Sequence, residues 1–243
     1  MSQAQPGFFS NLPEREKKEV VLPSTRTVTV LETTGREEKI LSKIQESAKV
    51  PEVIGQYLMG IAQDLDGKSG PVNKEDLDDM LVGDRMFILF QSRILTHGPT
   101  LSHKTTCGSC GNYGEYEIDL QNILDNAKPY PEGNKREFSI DVGGGVIHFE
   151  LPNGKTEAKV ARNTDMDVNA KLRSIRLWEE GPGGKLPVSV ENLKSKNISA
   201  LRKALREKEC FLDTTAMLTC PSCRKVERID VMSVADFLFP NLT

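Results

Sequence analysis

Histidine is scarce in this chain, with three in 243 residues: His97, His103 and His148. None lies beside a recognisable nucleophile or acidic pair, so the triads and histidine-based metal sites of many hydrolases have almost no material here. Cysteine is nearly as rare, at 5 residues, and no signal-peptide pattern opens the chain, which argues against a secreted disulfide framework. No stretch approaches the roughly 18 apolar residues of a membrane span. Charge is nearly balanced, at -3 with a pI near 5.8, whereas a general nucleic-acid binder needs clustered Lys and Arg. The remainder, 37% hydrophobic and 28% charged residues, suits an ordinary folded chain with one large core or two modest ones.

The cysteines that are present fall into a pattern. Thr106-Cys107-Gly108-Ser109-Cys110-Gly111 and Thr219-Cys220-Pro221-Ser222-Cys223-Arg224 are two Cys-x-x-Cys knuckles, each running into a similar strand pattern at 116–120 and 227–231. Cys107, Cys110, Cys220 and Cys223 form the ligand set of a tetrahedral structural zinc site, because tight turns aim backbone amides at the thiolates. A redox dithiol needs a strand-to-helix context, and both motifs lead into strands instead. The knuckles stand far apart along the chain, so the metal would fasten two distant segments, with the intervening region inserted into the ribbon. The fifth cysteine, Cys210, falls on an apolar helix face and reads as a buried structural thiol.

Beyond the first 19 residues the order of elements reads twice. The first pass sets Leu22-Pro23-Ser24 before an alternating strand at 27–31, followed by Thr34 and Glu37 at capping-box spacing. An amphipathic helix then runs through Ile40, Leu41 and Ile44. The second pass sets Leu151-Pro152-Asn153 before an expected strand at 157–161. A helix is expected from Thr164, with Asp167 three residues on, burying Val168, Leu172, Ile175 and Trp178. Each pass adds a further helix and closes on a Thr-Cys-x-x-Cys knuckle. Asn73-Lys74-Glu75-Asp76 leads into the most apolar helix, with Met80, Leu81, Met86, Phe87, Leu89, Phe90, Ile94 and Leu95, which stops at His97-Gly98-Pro99. Alternating segments at 138–142 and 146–150 flank Gly143-Gly144-Gly145 and read as a hairpin. Gly181-Pro182-Gly183-Gly184 breaks the second helical region, and a helix over 233–239 would close on the ribbon.

The expected fold class is therefore α+β, with two similar strand-helix-helix halves joined through a four-cysteine zinc ribbon and a glycine-turn β-hairpin between them. The expected division is a flexible arm at 1–19, a first half at 20–120 ending in the first knuckle, a second half at 121–217, and the second knuckle with a terminal helix at 218–243. Phe8 and Phe9 form an aromatic pair in the polar arm and are candidates for docking on a partner protein.

Other motifs dissolve on inspection. Gly67-Lys68-Ser69 resembles the end of a phosphate loop, but the required earlier glycine is Ala62. Asp64, Asp66 and Glu75 fall at calcium-loop positions, yet Lys68, Ser69 and Pro71 spoil the pattern. The basic helix at 193–208 reads as a solvated face. His97 reads as a helix C-terminal dipole partner, and His103, four residues before Cys107, is a spare ligand that a four-cysteine site does not need.

The ordered series Leu22-Pro23-Ser24, Val28 and Val30, Thr34-Gly35-Arg36-Glu37-Glu38-Lys39-Ile40-Leu41-Ser42, Leu81-Val82-Gly83-Asp84-Arg85 and Cys107-Gly108-Ser109-Cys110-Gly111 with Ile118-Asp119-Leu120 resembles the T-even-type phage baseplate hub assembly proteins. The resemblance covers most of residues 20–231. It implies a non-enzymatic component of a contractile-tail baseplate, assembled in the host cytoplasm and located in the virion. Its partners would be other baseplate or tail subunits, with no small-molecule substrate. Hub, wedge and transient assembly factor all remain open, as does zinc against iron. Two other classes compete: a zinc-ribbon nucleic-acid-binding regulator, for which only the second knuckle is suitably basic, and a tail-penetration hydrolase, for which no carboxylate spacing stands out.

Overall fold

The alternation in Thr27-Val28-Thr29-Val30-Leu31 puts two valines on one face, and both are fully buried. A computed structural model of the chain describes residues 14–44, 50–162, 169–233 and 237. Strand β1 (Lys17–Val21) pairs antiparallel with β2 (Thr27–Leu31), with Val20 opposite Val28. The flexible arm expected at 1–19 is thus too long. Its last residues are held as an edge strand, and the Arg15 guanidinium donates to the Gly60 carbonyl at 3.0 Å and to Glu37 at 3.1 Å. Phe8 and Phe9 lie outside the described residues.

Helix α1 (Gly35–Leu41) begins at the capping box, where the Thr34 N–H and hydroxyl both donate to the Glu37 carboxylate, at 3.0 and 2.6 Å. Helix α2 (Val50–Ile61) runs straight into β3 (Ala62–Gln63), which completes a three-stranded sheet against β2. Helix α3 (Lys74–Asp79) is capped by the Asn73 side-chain oxygen, which accepts the Asp76 N–H at 2.9 Å. Helix α4 (Val82–His97) ends at Gly98, whose φ of 82° suits glycine. Met80 and Leu81 separate the two helices in extended conformation, so the expected apolar helix starts only at Val82. The break follows from competition for backbone groups. The Met80 carbonyl accepts from Gly154 and the Val82 N–H donates to Pro152, leaving Leu81 bridged to Asn153.

Strands β4 (Thr100–Thr106) and β5 (Tyr113–Asp119) form a two-stranded hairpin, and Asp119 caps α5 (Leu120–Asp125) by accepting the Asn122 N–H. Strands β6 (Glu137–Asp141) and β7 (Val146–Glu150) pair antiparallel around the glycine turn, with Phe138 opposite Phe149. The strand expected at 157–161 is instead part of α6 (Gly154–Arg162). Asn153 initiates this helix by accepting the Thr156 N–H at 3.1 Å, and Glu157 then turns inward toward Arg85. Of the helix expected from Thr164, residues 163–168 lie outside the described residues. Leu172 sits on the short α7 (Ala170–Ser174), Ile175 follows it, and Trp178 belongs to a strand. That strand, β8 (Leu177–Gly181), joins β7 and β9 (Gly184–Pro187) in a four-stranded sheet, β6-β7-β8-β9. The two passes therefore differ in element order after their Leu-Pro starts.

Helix α8 (Ser195–Lys208) buries Leu201 and Leu205 and exposes Lys196, Lys203 and Arg206. Cys210 is not on a helix face. It follows the α8 cap at Glu209 and is only half-buried against the second core. Strands β10 (Thr215–Thr219) and β11 (Val226–Asp230) form the last hairpin. Of the expected terminal helix, Ser233 ends a 3-10 turn and Phe237 is described; the rest lies outside the described residues. Phe237 is fully buried with its ring 4.7 Å from that of Phe90.

Two hydrophobic cores result. One gathers Val28, Val30, Leu58, Ile61 and Phe90 with Leu101 and Ile118 of the first hairpin and Leu218 of the last. The other holds Phe138, Ile147, Phe149, Leu151, Leu177, Leu201 and Leu205. The chain leaves the first core after α5 and returns to it at β10.

Candidate metal centre

Hairpins β4–β5 and β10–β11 each carry a knuckle at the turn, and the two turns repeat one hydrogen-bond pattern. In the first, the Cys107 N–H donates to the Asn112 carbonyl and the Gly111 N–H to the Cys107 carbonyl, both at 2.9 Å. In the second, the Cys220 N–H donates to Lys225 and the Arg224 N–H to Cys220, again at 2.9 Å. The same turn position is left-handed in both, with φ of 71° at Gly111 and 59° at Arg224. Glycine adopts this freely, but arginine does so at a cost.

The four sulfurs meet. Cys107 Sγ lies 3.7 Å from Cys223 Sγ, Cys110 Sγ lies 3.7 Å from Cys220 Sγ, and all four fall within 4.8 Å of one another. Zinc–sulfur bonds of about 2.3 Å in a tetrahedron separate the sulfurs by roughly 3.8 Å, so the cluster has the size of a single ion's ligand sphere. A disulfide would bring one pair to about 2.05 Å, and all of these cysteines are free. Cys107 and Cys220 are buried while Cys110 and Cys223 face outward. Glu227 ties the knuckles together, accepting the Gly108 N–H across the hairpins at 2.9 Å.

The thiols also differ in their electrostatics. The Cys223 backbone N–H draws the Cys220 thiol down to about 6, with the Ser222 N–H adding to it against burial. At Cys110 the Asn112 N–H favours the thiolate, but the Cys223, Cys220 and Cys107 sulfurs and burial outweigh it and push the thiol up to about 12. Four sulfurs this close cannot all be anionic by themselves. A divalent cation among them removes the repulsion.

The histidines stay apart from this cluster. His103 lies on β4 opposite Tyr116 with its Nδ1 buried and unpartnered, and His148 stacks on Trp178 at 5.5 Å. His97 ends α4, where burial holds its pKa below the usual histidine value. In the loop that mimics a calcium site, Asp66 is engaged by Arg26 and the Thr27 N–H, and Asp64 by the Gly70 N–H.

A second junction, at the start of α4, has no signal in periodicity. The Gly83 N–H donates to the Tyr130 hydroxyl at 2.9 Å, and the Ser24 N–H and hydroxyl both donate to the buried Asp84 carboxylate. Arg85 Nε pairs with Glu157 at 2.7 Å while its Nη1 donates to the Leu77 carbonyl. Burial outweighs the Ser24 donors and raises the Asp84 pKa; it likewise pushes the Cys210 thiol up to about 12. Consecutive residues 83–85 thereby tie α4 to four separate segments, those of Tyr130, Ser24, Glu157 and Leu77. The only sequence clue was that Leu22-Pro23-Ser24 and Leu81-Val82-Gly83-Asp84-Arg85 both stood among the strings carrying the family resemblance.

A family model described as T4 bacteriophage base plate protein matches residues 15–239. The chain belongs to this family. Membership of the T4 base plate family makes it a phage baseplate protein, and the matched region includes all four clustered cysteines together with Ser24 and Asp84. Neither the curated proteins nor the solved structures searched contain a match. Among the described residues no helix is long and apolar enough to cross a membrane.

Proposed function

We propose that this protein is a structural subunit of the hub region of a contractile-tail baseplate, and that one zinc ion held by Cys107, Cys110, Cys220 and Cys223 staples its chain. The observation carrying the metal assignment is the pair of 3.7 Å sulfur separations between knuckles that lie far apart in sequence. With four thiolates filling the tetrahedron, no coordination position is left for a substrate, so the ion acts in folding rather than in catalysis. Structural zinc in small peptides contributes about 10–16 kcal/mol of apparent binding free energy, enough to hold β10–β11 against β4–β5. In this reading residues 20–120 and 218–243 close around an inserted region at 121–217. Phe8 and Phe9 dock on a neighbouring baseplate or tail subunit.

Native mass spectrometry with elemental analysis of the purified chain tests the staple. One zinc per chain is expected, and a chain that carries no metal while keeping its fold refutes it. Co-purification with tail particles tests the location, and a chain found in infected cells but never with tail components refutes the baseplate role.

A further inference from the structure

The outward faces of the two knuckle hairpins differ in character. On β4–β5 the exposed face carries Tyr113, Glu115, Glu117 and Asp119, with Lys104 opposite Glu115. On β10–β11 it carries Met217, Val226, Arg228 and Asp230, and the adjoining turn exposes Arg224 and Lys225. Tyr113 and Met217 are each 65% exposed and Val226 is 45% exposed, although their strand neighbours Ile118 and Leu218 are buried in a shared core. The inner faces of both hairpins belong to that one core, so the outer faces look away from it. One is acidic around an exposed aromatic ring. The other, with Arg224, Lys225 and Arg228 against Asp230 and Asp213, is net basic around exposed methionine and valine. Arg228 has only a long, solvent-exposed pair with Asp213 at 3.8 Å, a contact worth little in water. No ion pair engages Arg224, Lys225, Glu115 or Glu117 among the described residues.

We propose that these faces bind each other between copies of this chain, the acidic hairpin of one copy against the basic hairpin of the next. Exposed apolar side chains rimmed by charge of one net sign are the composition of an interaction surface, and here the complementary surface lies on the same molecule. Because the two faces are different, the contact is head-to-tail, and each copy keeps a free face for another neighbour. Such interfaces close into rings or extend as open arrays. The inference does not depend on the baseplate role or on which metal fills the thiolates.

Charge exchange on the full-length protein tests it, read by native mass spectrometry and by light scattering at low salt. The unaltered chain should form a self-assembled species that dissociates as salt rises. E115K/E117K and K225E/R228E should each be monomeric, with thermal unfolding close to that of the unaltered chain because all four positions are exposed. Mixed together, they should assemble in equal proportion. The first variant then offers two basic faces and the second two acidic ones, so only alternation satisfies both contacts. An unaltered chain that stays monomeric at every concentration overturns the proposal. So do single variants that still assemble, or a mixture of the two that does not.

Discussion

Gly83→Ala sets two opposing effects against each other at the junction of the two cores. Within a helix, alanine is favoured over glycine by up to about 1 kcal/mol, and less in the first turn where Gly83 sits. Against this, the added methyl would stand 2.7 Å from the Tyr130 hydroxyl, 2.8 Å from Cys210 Cβ and 2.9 Å from Cys210 Sγ. Tyr130 is 5% exposed and cannot swing into solvent, so the backbone of α4 or the segment after α8 must move. Overpacking of this kind costs about 1–3 kcal/mol, and displacing Tyr130 also weakens its bond to the Gly83 N–H, worth about 1 kcal/mol. The clash wins. The expected net loss is about 1–3 kcal/mol, or roughly 2–12 °C in Tm at 2–4 °C per kcal/mol for a domain of this size. Thermal denaturation followed by circular dichroism measures it, and a cycle with Cys210→Gly identifies the cause. Cys210→Gly removes two of the three crowding atoms, so the double variant should be more stable than the two single losses added together. Gly83→Ala at or above the unaltered stability, or strict additivity with Cys210→Gly, would refute the reasoning.

Cys223→Ser should abolish metal retention in elemental analysis and lower the midpoint of thermal unfolding, while a Cys210→Ser chain keeps its metal; equal metal content in both would count against the four-sulfur site. Burial raises the Asp84 pKa, so between its unfolded value and its folded value the native state holds more protons than the unfolded state. Its contribution to stability is therefore present below the ordinary carboxylate range, near about 3.9, and is lost as pH rises through the raised folded value. Asp84→Asn should flatten this fall in a series of unfolding curves taken across mildly acidic pH, and an unchanged slope would show that other groups set it. Arg85→Ala leaves Glu157 without its 2.7 Å partner and frees the Leu77 carbonyl. A loss of about 2–4 kcal/mol in chemical denaturation is expected, and a near-neutral outcome would mean that the pair does not join α4 to α6.

What the sequence disclosed depended on how local each signal was. The Thr34–Glu37 box and the Val28 and Val30 alternation need only their own neighbours, and both are present in the fold. The knuckles were legible because Cys-x-x-Cys spacing marks a tight turn whatever lies between, and the structure brings the two turns together. Errors gathered where distant segments compete for the backbone. Residues 157–161 alternate like a strand, yet Asn153 starts a helix there and Arg85, from α4, holds Glu157 inward. Met80 and Leu81 continue an apolar pattern, yet the Met80 carbonyl is taken by the Gly154 N–H and the Val82 N–H by the Pro152 carbonyl. Trp178 looked like the end of a helical stripe and became a strand residue opposite His148. Cys210 could not be placed without knowing that α8 stops at Glu209.

The left-handed Arg224 has a consequence for how the second knuckle has been shaped. Its twin position in the first knuckle is Gly111, so a residue with no steric objection was available to the same turn. Holding a side chain in that conformation costs roughly 1–2 kcal/mol. Arg224→Gly should therefore relax the turn without loosening the sulfurs, and whatever the protein loses in exchange would reveal why a bulky cation is tolerated beside the four-cysteine cluster.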